Sequence, residues 1–289
     1  MLQNSAVLVD LNIGVWTGRK MDKKVSNEID TAKNTKTSAG NYHKKLLAGT
    51  QKLDDLQKLV AAIRMWHYEQ TLPWSDSGSR LLPMANFFDY KSKLSDYETQ
   101  FNEGVRDFIA EYSTLVSAAA FQLGDLFNPD DYPDVVKLLA KFRFNFVFSP
   151  VAEQGDFRID SFESTKQELM GQYQKFFDTK LSDAMQDIWD RLRDCLSKMS
   201  DKLADAATPR VDKDGNQNFT QIFRDTLVSN ALELCGLMSK LNVTNDSKLE
   251  QVRQELERTI VGVSADELRD SDELRHRTKR KVDDILSMF

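Results

Sequence analysis

Seven consecutive residues, Arg275-His276-Arg277-Thr278-Lys279-Arg280-Lys281, include five permanently cationic side chains. That density suits phosphate oxygens, which cations hold by charge and arginines also by their planar fork of donors. It suits equally a helix whose negative C-terminal end wants cations, and Asp270, Asp272 and Glu273 stand just before it. Arg19, Lys20, Lys23 and Lys24 form a second, weaker basic patch. The stretch Asp212-Lys213-Asp214-Gly215-Asn216-Gln217-Asn218 puts oxygen ligands at alternate positions, as a calcium loop begins. Its sixth position is Gln217 rather than Gly and its twelfth is Phe223 rather than Glu, so it reads as an Asp-Gly turn between helices. His43, His67 and His276 are far apart and lack companions at metal-ligand spacing. His67, among Trp66, Tyr68 and Trp74, reads as a packed or hydrogen-bonding residue. Cys195 and Cys235 fall in apolar helical patterns and read as reduced packing residues; a mutual disulfide requires that their helices pair, which spacing does not show. No phosphate-binding glycine loop, GxSxG or HExxH pattern occurs. The chain reads as a non-enzyme, with no catalytic residue, metal or cofactor implied.

The 289 residues are 40% hydrophobic and 29% charged, with only 12 Gly and 6 Pro. This composition excludes collagen-like and low-complexity chains and argues against a turn-rich all-β sandwich. Two cysteines exclude a disulfide scaffold. No stretch approaches the ~18 apolar residues of a membrane span, and Asp10 breaks the run Ala6–Val9 too early for a signal-peptide core. A cytoplasmic protein with no membrane partner is expected. The net charge of -6 is uneven: residues 1–64 hold eleven Lys/Arg and six Asp/Glu, a net of +5, which leaves -11 for the rest. The acidic bulk disfavours a general nucleic-acid coat but permits one local basic contact.

The elements that must position these residues are mostly helices. Val7, Val9, Leu11, Ile13 and Val15 alternate with Asp10, Asn12 and Gly14, which predicts a strand over 7–16. Residues 22–40 suit a short helix or a mobile loop. Three-and-four spacing predicts a helix from about Tyr42 to Gln70, stopped by Pro73. Leu72 to Pro83 forms a long loop, with Trp74 and the pair Leu81-Leu82 folding it back onto the core. A helix is predicted over 84–124, then a short one over 134–140. The run Lys141-Phe142-Arg143-Phe144-Asn145-Phe146-Val147-Phe148 alternates perfectly, so it is paired with the first strand in a two-stranded antiparallel sheet whose aromatic face helices must cover.

One helical pattern then runs from about Ser164 to Ala207, roughly 60–65 Å long, with a seam from Leu169 to Leu203 spaced as in a coiled coil. A turn over 208–218 and a helix from Phe219 to Leu241 complete an antiparallel hairpin. Two helices close the chain, over 247–261 and 264–287, the second opened by the capping box Ser264-Ala265-Asp266-Glu267. The fold class expected is mainly α (α+β): a two-stranded antiparallel sheet packed on helices over 1–160, then an extended coiled-coil-like hairpin with C-terminal helices over 161–289. The seam packs within the chain or supplies a homo-oligomer surface.

Three motifs carry a resemblance. Leu11-Asn12-Ile13-Gly14-Val15-Trp16-Thr17-Gly18-Arg19-Lys20 looks like the opening of a family of tailed-phage and prophage proteins that has no established activity. The segment His67-Tyr68-Glu69-Gln70-Thr71-Leu72-Pro73-Trp74, with Gly78, Arg80, Leu81, Leu82 and Pro83, is similar to its central motif, and Phe142 through Val151 resembles its third. The likeness covers about residues 7–160. Genes of that family often lie near those for MoxR-type AAA+ ATPases and von Willebrand A-like proteins. The resemblance implies an adaptor or substrate of a phage-encoded ATPase in the cytoplasm of an infected bacterium, by analogy rather than by chemistry. The expected function is a phage protein that works by protein–protein interaction, or an oligomeric scaffold. The alternative is nucleic-acid binding through the basic C-terminal helix. The residues expected to carry contacts are Trp16, Arg19, Lys20, Pro73, Trp74, Arg80, Arg275, Arg277, Lys279, Arg280 and Lys281.

Overall fold

The computed structural model describes residues 5–152, 163–205, 210–211, 217–218 and 226–289. The chain is mainly helical, and its elements run β1 (Ala6–Gly14), β2 (Arg19–Met21), α1 (Lys23–Ala32), β3 (His43–Lys45), α2 (Lys52–Gln70), β4 (Leu72–Pro73), β5 (Arg80–Pro83), α3 (Met84–Leu123), α4 (Val135–Leu139), β6 (Arg143–Pro150), α5 (Glu163–Asp205), β7 (Arg210–Val211), β8 (Gln217–Asn218), α6 (Thr226–Leu241), α7 (Ser247–Ile260), α8 (Ala265–Asp270) and α9 (Asp272–Leu286). Most of the turn over 208–218, and the start of the hairpin's second helix at 219–225, lie outside the described residues.

The sheet has four strands rather than two, in the order β4-β5-β1-β6. The added pair comes from the segment read as a loop. A turn closed by Ser75 N–H to Ser79 O (3.0 Å), with Gly78 at φ +109°, folds Leu72–Pro83 into a hairpin. β5 then lies antiparallel to β1, with Val7 opposite Leu82 and Leu8 opposite Leu81. Pro73 is tolerated because β4 is an edge strand with no further neighbour to receive an N–H. Gly14, at the end of β1, faces Arg143 at the start of β6, the run of an antiparallel pair.

The chain divides into two compact units. Unit 1 comprises residues 1–10, 69–88 and 148–289; unit 2 comprises 11–68 and 89–147. Each is built around its own apolar core.

In unit 1 the helices α5 to α9 share one core, joined by Ala6, Leu72, Trp74 and Leu81 of the sheet. α5 packs most extensively against α9 and also against β4 and α6. Its buried positions are Ala184, Ile188, Leu192, Leu196, Met199 and Leu203, one stripe at three-and-four spacing. Toward its N-terminus the stripe opens: Met170 is 40% and Phe176 50% exposed. The last predicted helix is two. Ser271 ends α8 and caps α9, and the buried Arg275 donates to the α8 carbonyls of Leu268 (2.9 Å) and Arg269 (3.4 Å). The capping box at Ser264 and Glu267 is formed.

In unit 2, α2 and α3 cross where Gly104 leaves room for Leu56; a Cβ at Gly104 would lie 2.8 Å from the Leu56 side chain. Around this crossing lie Leu53, Val60, Ile63, Phe101, Phe108 and Tyr112. The aromatic face of β6 is covered by α3: Phe142 meets Phe108 at 5.7 Å and Phe144 meets Phe101 at 5.6 Å between ring centroids. α2 begins ten residues later than its spacing predicts. Leu46 and Leu47 are buried as that spacing requires, but they lie in turns after β3.

The change Leu192→Ala deletes a fully buried side chain at the centre of the α5 stripe. It should lower unfolding stability by about 2–5 kcal/mol, whereas Phe176→Ala should change it by less than about 1 kcal/mol. Urea titrations of the two variants check this, and equal losses would contradict the placement of the stripe.

Candidate interaction surface

The loop residues named from the sequence are structural. Trp74 is buried with its ring edge-on to Phe177 at 5.4 Å, and Pro73 is half-buried. Arg80 turns along the sheet, donating from Nε to Thr71 Oγ1 (2.7 Å) and from Nη2 to Thr71 O (3.0 Å). Arg191 of α5 closes the same corner, donating to Glu69 O (2.7 Å) and Thr71 O (2.8 Å). Two guanidinium groups thus satisfy carbonyls left open where α2 ends. Trp16 is also buried, packed on Phe108 and Tyr112. Both tryptophans are thus buried rather than exposed, because burying a large aromatic ring is favoured over leaving it in water.

The C-terminal basic run divides by its position on α9. Arg275 points inward, to α8 carbonyls and Asp272. Lys279 is half-buried and pairs with Asp283. His276, Arg277, Arg280 and Lys281 are exposed, at i, i+1, i+4 and i+5, so they share one helix face. No ion pair among the described residues involves them.

Arg19 and Lys20 lie in β2, and both are exposed. β2 pairs antiparallel with β3, with Arg19 opposite Lys45, Lys20 opposite Lys44 and Met21 opposite His43. The ribbon is tied at both ends by Leu46 N–H to Gly18 O (2.7 Å) and Asp22 N–H to Tyr42 O (2.9 Å). Lys44 is buried, and its ammonium meets Asp131 at 2.8 Å, Asp22 at 3.4 Å and the Leu126 carbonyl at 2.7 Å. Sequence reading had no signal for this centre, because its three partners lie 22, 82 and 87 residues away. Burial works against the Lys44 charge, but Asp131 and then Asp22 outweigh it and raise its pKa above 10.5. The Val25 amide and Lys44 hold Asp22 below 3.8 against a smaller desolvation effect.

Exposed apolar side chains cluster on two helices of unit 2. On α2, Ala61, Ala62, Met65 and Tyr68 are exposed at i, i+1, i+4 and i+7, with Met65 at 64% and Tyr68 at 53%. The opposite face of α2 supplies Leu56, Val60 and Ile63 to the core, and His67 donates to or accepts from Tyr90 Oη at 2.8 Å. On α4, Val135, Val136 and Leu139 are exposed around the buried Leu138. Neither set was found from the sequence, where the same periodicity reads as core.

In unit 1 an open cleft of about 470 Å³ lies along α5 and α6 beside the end of α2, lined among others by Arg191, Asp194, Cys195, Lys198, Glu233 and Leu237. Burial pushes the Cys195 thiol up; burial and then Glu257 push Cys235 up to about 12. Both thiols are protonated at neutral pH and neither is an activated nucleophile. Among the described residues no three His, Cys, Asp or Glu side chains converge on a metal position. No helix among them is long and apolar enough to cross a membrane. Compared with protein families, curated proteins and solved structures, the chain matches none of them.

Replacing Lys44 by Met leaves two carboxylates facing each other without their cation, and should destabilise the protein by about 3 kcal/mol. The wild-type contribution of Lys44 is complete below pH 10.5 and is lost as pH rises through its raised pKa, while that of Asp22 is present above pH 3.8 and is lost on acidification through its lowered pKa. Denaturation across pH for both proteins checks this: the gap should be widest between those limits, and a gap independent of pH would contradict the assignment.

Proposed function

We propose that this chain is a non-enzymatic interaction protein of a tailed phage or prophage, acting in the cytoplasm of the infected cell. The observation that carries the reading is the apolar stripe Ala61, Ala62, Met65 and Tyr68 on α2. Solvent-facing apolar side chains at i, i+4 and i+7 are the anchors by which a helix seats on a partner's groove. Isolated exposed apolar residues need no explanation, but a contiguous set on one helix face does. The sequence resemblance favours a MoxR-type AAA+ ATPase as the partner, with the chain as its adaptor or substrate. The coiled-coil character of α5 enters the proposal where Met170 and Phe176 are exposed, as a surface for self-association into a homo-oligomer.

A second reading, nucleic-acid binding through α9, is favoured by one observation. Arg277, Arg280 and Lys281 share a face with no carboxylate paired to them among the described residues.

Affinity capture of the tagged full chain from infected cells tests the leading reading. The wild type should recover one specific protein, and a Met65→Glu, Tyr68→Glu double variant should lose it. Both substitutions are at exposed positions, so the variant's thermal midpoint should stay close to that of the wild type. Recovery of no specific partner, or equal recovery by the variant, would refute the reading.

A further inference from the structure

The three-residue ribbon β2–β3 sets two pairs of like charges directly opposite each other, Lys20 with Lys44 and Arg19 with Lys45. Such pairs are destabilising, since opposite residues in a ladder stand only about 5 Å apart on the same side. The fold resolves one of them: Lys44 turns inward to Asp131 and Asp22. It provides nothing for the other. Arg19 and Lys45 are both exposed and no ion pair among the described residues involves either. His43 lies on their side of the ribbon, and Lys23 and Lys24 open α1 immediately after β2, also exposed. Residues 19–45 hold eight Lys/Arg against three Asp/Glu, a net of +5 in a chain whose total is -6.

We propose that the outer face of the β2–β3 ribbon, with Arg19 and Lys45 and the neighbouring Lys23 and Lys24 of α1, is a binding surface for the phosphate backbone of duplex nucleic acid. The site lies in unit 2, goes beyond the protein-interaction reading and is separate from the α9 residues of the second reading. Charge complementarity selects an anionic occupant. The ribbon is pinned at both ends, so its cations are held close before any ligand arrives. Three of the four cations are lysines, which act as point charges on phosphate, and such contacts set position rather than sequence. A two-stranded ribbon fits the width of a duplex groove. Apart from the small imidazole of His43, the ribbon has no exposed aromatic ring on which unpaired bases would stack, which favours duplex over single strand. Met21, 36% exposed, is its one large apolar side chain, too little to anchor it in a bilayer. The N-terminal amides of α1 play no part, because the Asp22 carboxylate already accepts from Lys24 and Val25 N–H.

Fluorescence anisotropy of the full chain with a labelled random-sequence duplex tests the proposal. Three to four phosphate contacts give a log–log salt slope of roughly -3, so affinity should fall roughly sixtyfold between 50 and 200 mM salt. The variant Arg19→Thr, Lys45→Thr should bind at least about tenfold more weakly at 100 mM salt, while its thermal midpoint is unchanged or higher, because a repulsive pair has been removed from a strand-compatible site. Two control variants, Met65→Glu with Tyr68→Glu and Arg277→Ala with Arg280→Ala and Lys281→Ala, should bind the duplex as the wild type does. The proposal is overturned by absence of binding at 50 mM salt, or by a ribbon variant that binds normally. It is overturned equally if binding is lost in the α9 variant instead, or if polyglutamate or vesicles of phosphatidylserine and phosphatidylcholine compete as well as the duplex.

Discussion

A strand that is apolar along part of both faces must be covered wherever it runs, and β1 imposes that requirement on each unit. Ala6 and Leu8 enter the core of unit 1, and Leu11 and Ile13 enter the core of unit 2. Leaving such side chains in water costs about 1.5–3 kcal/mol apiece, and a sheet of four short strands cannot cover them itself. The cover comes from helices far away in sequence. α3 spans 40 residues and lays Phe101 and Phe108 over the aromatic face of β6; α5 spans 43 and brings its stripe beside β4.

The distribution of charge follows from the same economy. A cation inside the protein needs its partners there, and the two buried ones among the described residues have them: Lys44 has two carboxylates and a carbonyl, and Arg275 has the open carbonyls of α8, while the half-buried Arg191 has carbonyls at the end of α2. A cation in water needs none, so the exposed face of α9 and the outer face of the β2–β3 ribbon remain uncompensated at little cost in salt solution. Counting basic residues therefore overstates the contact surface in one place and understates it in another. The run 275–281 loses Arg275 and Lys279 to the fold, whereas the patch at Arg19 gains Lys45 and His43 by strand pairing.

Apolar surface divides in the same way. The periodic pattern of α2 contains both a core stripe and an exposed stripe, and nothing in residue type separates Met65 from Ile63. The cysteines show the converse. Both lie where periodicity places them, and burial raises their thiol pKa values, which makes them packing groups.

Much of the architecture was legible locally. Alternation identified β1 and β6, three-and-four spacing identified α3, α5 and α7, and the capping box at Ser264 was visible because it joins residues three apart. Such signals depend on neighbours within a turn or a pleat, and the sequence contains them whole. The docking of the β4–β5 hairpin on β1, the late start of α2 and the division into two units were decided by partners tens of residues distant, whereas the break at Ser271 rests on a local cap and on Arg275 turned back onto α8. Distant partners also decided the fates of Trp16 and Trp74, which residue type marked for contact and burial claimed for the core. Sequence by itself determined the long helices, the strands β1 and β6 and which residues carry charge. Tertiary structure decided which of those charges and apolar faces are left for another molecule, because availability depends on what else the chain brings within a few ångströms.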